Sequence, residues 1–196
     1  SGLPRVEEIF EVRPPKGRAV VSDVNGVVVE IRDAGSDKIL KINIDPDKDK
    51  LTASEFEKEI AIPRISGLLV EKGSTIKKGQ ILSEGHADLH ELFKFAGKDA
   101  VERYIIKEVQ KIYSLEGAPI HDKHIEVIVK QMFSRVRIKD AGDTDLSPGE
   151  IIEKREFHRA NIKAVKAGGK PARAFQLLLG ITRVALTTSS FLSAAS

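Results

Sequence analysis

Two stretches of this 196-residue chain carry residue types able to do chemistry. His121-Asp-Lys-His124-Ile-Glu126 offers imidazoles and carboxylates of the kind that bind zinc or move protons. At 100° per residue on a helix, the two imidazoles lie about 60° apart and share a face. Asp122 and Glu126 lie about 40° apart on a different face, so the carboxylates do not converge with the imidazoles. Zinc takes three or four ligands, and two histidines with no third local ligand fall short. The stretch reads instead as a helix N-terminal cap followed by surface histidines, and no metal is expected. His86 and His90 flank Asp88, where packing and capping suffice to explain them. The second stretch is Gly180-Ile-Thr-Arg183-Val-Ala-Leu-Thr187-Thr188-Ser189-Ser190. An arginine among small hydroxyl residues is equipment for phosphate oxygens, which guanidinium, hydroxyl and backbone N–H groups all recognise. Such contacts position a nucleic acid without reading its sequence, and no aromatic stacking platform accompanies them here.

Other chemistries are excluded by composition. The chain has no cysteine, so disulfides, thiolate metal sites and thiol nucleophiles are ruled out. It has no P-loop, dinucleotide fingerprint or nucleophile elbow. Gly35-Ser36-Asp37-Lys38 resembles the Asp-Lys hairpin that carries lipoate in carrier domains, and Gly73-x-x-Ile76-x-x-Gly79 occurs in lipoyl and biotinyl domains, so a lipoyl- or biotinyl-like carrier is one alternative. The long insertion from Asp45 to Phe56 does not suit that small domain, so Lys38 reads as a solvated loop lysine. A free-standing DNA-binding adaptor with a borrowed barrel is the other alternative.

Charge is unevenly placed. The whole chain carries a formal +3, with 41% apolar and 31% charged residues. From residue 156 onward, Arg159, Lys163, Lys166, Lys170, Arg173 and Arg183 face Glu156 alone, a local net of +5. The rest is nearly neutral, so the surface facing a polyanion belongs to this final fifth. No apolar run approaches the roughly 18 residues of a membrane span, and the N-terminus does not read as a signal peptide. The last residues, Phe191-Leu-Ser-Ala-Ala-Ser196, carry no stop signal, and a fragment of a larger protein is expected.

The elements that must position these residues follow from periodicity. Residues 4–13 predict a helix ended by Pro14-Pro15. Strands are expected over 19–22, 26–31, 39–44 and 59–65. Gly67, Gly73, Gly79 and Gly85 recur every six residues with alternating apolar residues between them, the pattern of short strands joined by tight turns. Asp88 with Glu91, and Asp99 with Glu102, open two helices by capping boxes, ending at Gly97 and near Leu115. A third helix is expected over 122–134, strand spacing at Val136 and Ile138, and a last helix over 157–166. The fold class is α+β: a β module over 17–86 after a 1–16 helix, a helical connector over 87–155, and a basic segment over 156–196.

Several stretches together resemble the β′ subunit of bacterial RNA polymerase. They are Gly2-Leu-Pro-Arg-Val-Glu-Glu-Ile-Phe-Glu-Val-Arg-Pro-Pro-Lys16, Ala100-Val-Glu-Arg-Tyr-Ile-Ile-Lys-Glu-Val-Gln-Lys-Ile-Tyr113, His121 to Met132, and Leu178 to Ser196. All occur in the family's order and span nearly the whole chain. The resemblance implies a C-terminal portion of the polymerase's largest subunit. Residues 1–16 would leave the trigger loop, 17–86 would be a sandwich-barrel hybrid module of the jaw, and 87–155 would connect jaw to clamp. Residues 156–196 would form the clamp base and switch 1. It implies DNA contacts, with template and downstream duplex, at Arg183, Thr187, Thr188 and Ser189, with Lys170 and Arg173 nearby. It also implies the β subunit and the rest of β′ as partners, and a cytoplasmic, nucleoid-associated location without any membrane. The family's catalytic Mg²⁺ aspartates and zinc cysteines are not in this chain. The resemblance thus implies an enzyme as the parent, with this segment not expected to be catalytic alone or to hold a cofactor.

Overall fold

The computed structural model describes residues 2–49 and 55–187. In order they form α1 (Gly2–Phe10), β1 (Gly26–Ala34), β2 (Asp37–Ile44), β3 (Glu57–Pro63), β4 (Thr75–Ile76), α2 (Leu89–Ala96) and α3 (Lys98–Leu115). There follow α4 (Asp122–Met132), β5 (Arg135–Asp140), β6 (Ile151–Glu153), α5 (Lys154–Lys166), β7 (Arg173–Gln176) and α6 (Ile181–Leu186). This is a mixed α+β architecture with antiparallel pairing throughout its two sheets. The chain divides into two compact units, Pro14–Arg103 and the residues up to Arg13 taken with those from Tyr104 onward. No described helix is long and apolar enough to cross a membrane.

In the unit from Pro14 to Arg103, the sheet order is β3-β2-β1-β4. Strand side chains alternate faces, so Leu40 and Ile42 of β2 and Ile60 and Ile62 of β3 point inward. With Val28, Val70, Ile76 and Leu82 they make one apolar cluster. A bulge between Val28 and Glu30 shifts the β1–β2 register and bends the strand. Both hairpin strands are longer than the periodicity predicts and turn on Gly35-Ser36, where Gly35 has φ 64°. Lys38 sits inside β2, opposite Asp33 and Ile62, and not at the tip of the hairpin.

The glycine-spaced stretch behaves differently from expectation. It contributes one two-residue strand, β4, and otherwise the single bridges Leu68↔Ser83 and Val21↔Ile81. The expected strand over 19–22 is likewise reduced to the single bridge at Val21. A turn every six residues leaves room for only a bond or two between corners. Gly79, at φ 88°, donates its N–H to the Ser22 carbonyl at 2.7 Å, and a Cβ there would overlap Ala96. The chain then leaves the sheet through α2. Asp88 Oδ1 accepts the Glu91 N–H at 2.9 Å, and Gly97, at φ 87°, returns its N–H to the Phe93 carbonyl. Both caps match the sequence reading.

In the other unit, α4 packs against α1 and α6, and α5 covers β5 and β6. Ile125, Val129 and Met132 form the buried stripe of α4. The sheet has order β6-β5-β7, and Val136, Ile138 and Ile152 make its inner face under Leu146, Phe157 and Ala174. β7 is absent from the sequence reading, because Arg173–Gln176 becomes a strand only by pairing with β5. Helix α5 begins at Lys154, ahead of the expected Phe157. Helix α1 stops at Phe10, short of the expected Arg13: Val12 takes a left-handed φ of 51°, and Arg13, which precedes proline, is pushed out of the helical region.

At Gly26 a Cβ would overlap the Asn43 carbonyl oxygen and come within 2.8 Å of Ile42 Cγ2. Gly26→Ala is therefore expected to destabilise the β1–β2 pairing by about 1–3 kcal/mol. Urea unfolding of the chain measures this, and an unchanged midpoint would contradict the packing described.

Candidate nucleic-acid interface

Helix α6 is short, and its ends are fixed by residues far away in sequence. Gly180 is its N-cap and makes no side-chain capping bond. The missing acceptor comes from Glu11, just after α1. Its Oε1 accepts from the Thr182 hydroxyl at 2.8 Å and from the Thr182 N–H at 3.3 Å. Gly180 lies so close that a Cβ on it would be 2.6 Å from the Glu11 carbonyl oxygen. The approach to α6 is pinned too, because Leu179 donates its N–H to the Met132 carbonyl at 3.0 Å. Leu178, Leu179 and Val184 are buried beneath.

At the other end, Thr187 follows α6. Its hydroxyl donates to the Val184 carbonyl at 2.8 Å and accepts from Arg135 Nε at 3.1 Å. Arg135, the first residue of β5, is only 3% exposed. Its other nitrogens reach the Ser134 hydroxyl at 2.9 Å and the Glu153 carboxylate at 3.7 Å. The hydroxyl of Thr187 is thus committed to the fold. Arg183 lies between the two fixed ends, exposed, and with no ion pair to any described residue.

Lys170 and Arg173 stand elsewhere. The Lys170 N–H donates to Asp143 Oδ2 at 2.6 Å, and Arg173 pairs with Asp140 at 3.2 Å. These contacts are at the Asp140 end of β5, whereas Thr187 meets its Arg135 end. Five residues of strand separate them by roughly 17 Å. The sequence-predicted residues therefore fall into two groups, Arg183 with Thr187 and Lys170 with Arg173. Thr188 and Ser189 lie outside the described residues. The carboxyl of Asp140 is held below its usual range, chiefly by the Gly142 N–H and next by the Arg173 guanidinium.

The histidine cluster is a helix cap. His121 is the N-cap of α4, and its Nδ1 accepts the Lys123 N–H at 3.2 Å. His124 stands edge-on to it, ring centroids 6.5 Å apart. Among the described residues, no three His, Cys, Asp or Glu side chains are grouped to hold a metal.

Glu11 and Arg135 were not singled out from the sequence. Nothing near Glu11 shows that its partner is 171 residues away. Alternation in β5 places Arg135 on the face opposite Val136 and Ile138, and that alone predicts an exposed side chain.

Residues 11–189 match the family described as RNA polymerase Rpb1, domain 5. The whole chain is 47% identical, over 200 residues, to the DNA-directed RNA polymerase subunit β′ of Thermoanaerobacter sp. (strain X514). It is 45% identical over 198 residues to the subunit β′ of Shouchella clausii, and 38% identical over 246 to that of Chloroflexus aurantiacus. In each case the entire chain is covered, but it spans only 15–16% of the relative's length.

The Asp140 carboxyl gives a direct check of the Arg173 end. A carboxyl depressed on folding contributes stability above its unfolded value, about 3.9 for Asp, and loses it as pH falls through the lower folded value. In an NMR titration its midpoint is expected below the ordinary Asp value. In Arg173→Ala the midpoint should rise part of the way back, because the Gly142 N–H bond remains. A midpoint unmoved by the substitution would contradict the pairing.

Proposed function

The chain belongs to the RNA polymerase Rpb1 domain 5 family, and from that premise we propose that it works as the jaw and clamp-base segment of a polymerase's largest subunit, gripping DNA through phosphate contacts. In this reading the parent enzyme transcribes DNA into RNA, and its metal ions and catalytic aspartates lie in parts of the subunit outside this chain. The β module over 17–86 is assigned as a sandwich-barrel hybrid, and residues 87–155 as the connector from jaw to clamp. The β subunit and the rest of β′ are its protein partners. Template and downstream duplex DNA are its nucleic-acid partners, in the cytoplasm at the nucleoid.

One observation carries the DNA-binding part of the proposal. Arg183 is an exposed cation with no described acid paired to it, on a helix whose two ends are held. A guanidinium without an acid partner has no ion pair to give up on meeting a phosphate, its planar fork loses less entropy per hydrogen bond than an ammonium would, and it releases counterions when it binds. Its segment also carries the local net of +5. Lys170 and Arg173, at the Asp140 end of β5, would make a second, weaker contact, because Arg173 is already paired with Asp140 and the Asp143 carboxylate, which takes the Lys170 backbone N–H, adds negative charge there. Thr187 would serve by ending α6, and Thr188 and Ser189 would add hydroxyls to the Arg183 contact.

In reconstituted polymerase, Arg183→Glu should shorten the lifetime of promoter open complexes, most strongly at low salt. The dependence of log lifetime on log salt should lose about one phosphate's worth of slope. Wild-type lifetimes at every salt concentration would remove Arg183 from the interface.

A further inference from the structure

We propose that Glu11 and Arg135 are positioning residues for Arg183, two side chains from outside α6 that fix its ends and so direct its guanidinium. This rests on the reading of Arg183 as a phosphate contact given above.

Helix α6 has six residues, well under the roughly 12–15 that an isolated helix needs to persist in water. It must therefore be held by its surroundings. A cap normally takes the N–H of the second or third helical residue on a side-chain oxygen of the residue just before the helix. Gly180 has no such oxygen, and Glu11 supplies it, taking the N–H of the second helical residue, Thr182, together with its hydroxyl. The negative charge of Glu11 also suits a helix N-terminus. Glu11 is not loose, because its own N–H is bonded to the Glu7 carbonyl at 2.9 Å.

A side chain at position 180 would drive the two backbones apart. Glycine there permits the approach that lets Glu11 reach Thr182. At the far end, Arg135 Nε anchors the Thr187 hydroxyl, and the Thr187 N–H in turn is bonded to the Arg183 carbonyl at 3.2 Å. Arg183 thus has one neighbour, Thr182, tied to Glu11, and its own carbonyl tied through Thr187 to Arg135. Neither positioning residue needs to touch DNA for its loss to weaken the grip.

The test uses assembled polymerase carrying the full-length subunit, with open-complex lifetime measured against KCl concentration. Glu11→Ala is expected to shorten lifetime about fivefold at low salt, the loss typical of removing one helix cap. It should lower the salt slope as Arg183→Ala does, since the same phosphate contact is lost. Glu11→Gln keeps a carbonyl acceptor for Thr182 and should recover most of the lifetime. In an Arg183→Ala background, Glu11→Ala should cost nothing further. Additive losses, or a lowered lifetime with an unchanged slope, would show a merely structural role and overturn the proposal.

Thr187→Val should behave like Glu11→Ala from the other end. Thr182→Val, expected to cost about twofold, stands in if Glu11→Ala does not assemble. Were Arg183→Ala itself without effect, the reading beneath the proposal would fail with it. Were Arg183→Ala effective and the Glu11, Thr182 and Thr187 variants silent, only the positioning role would fall.

Discussion

Taking a guanidinium out of water is expensive unless its N–H groups find acceptors and a compensating charge. Arg135 is nearly wholly buried and meets that demand with three groups: the hydroxyls of Ser134 and Thr187 and the carboxylate of Glu153. These partners come from the turn before β5, from the residue after α6, and from the end of β6. The requirement to satisfy one side chain therefore ties the small sheet to α6. Gln176 strengthens the same region, its amide N–H groups reaching the carbonyls of Phe133, Arg135 and Leu177. With the N-terminal end of α6 bound by Glu11, a six-residue helix too short to stand alone becomes a defined part of the surface. Arg183 is the exposed cation that this arrangement presents.

The unit from Pro14 to Arg103 is held on a different principle. Strands β1, β2 and β3 are full-length, but the stretch from Gly67 to Gly85 that completes the apolar cluster is mostly corners, so backbone conformation at the turns matters as much as side-chain packing. Buried serines satisfy the corner groups that ladder bonds cannot reach. Ser83 Oγ accepts the Val20 N–H at 2.8 Å, and Ser22 Oγ donates to the Val24 carbonyl at 2.7 Å. A polar group left unpaired at either place would cost about 1–3 kcal/mol, which is why small hydroxyl side chains sit inside an otherwise apolar cluster.

What the sequence made legible was local. Asp88 and Gly97 are recognisable as caps because their partners lie within a few residues, and the start of α4 at Asp122 is legible in the same way, although the capping side chain is that of His121, which the sequence reading left among the surface histidines. The alternation of β2 and β3 follows from a period of two. The gathering of cations after residue 156 needs only counting. What stayed hidden depends on pairing across the chain. β7 exists through its partner β5, Glu11 acts on Thr182 from 171 residues away, and the burial of Arg135 is decided by Thr187 and Glu153. Thr187 shows the limit well: its residue type suggests a phosphate ligand, yet its hydroxyl is engaged by a side chain that no local pattern brings near it.

The central claim is that α6, fixed at both ends, sets Arg183 against the DNA backbone. Its most direct test is photocrosslinking from position 183 in assembled polymerase bound to promoter DNA, with a benzophenone amino acid replacing Arg183. The account predicts a crosslink to the template strand, absent when salt dissociates the complex before irradiation. Crosslinks to protein alone, from a complex that still melts its promoter, would contradict it.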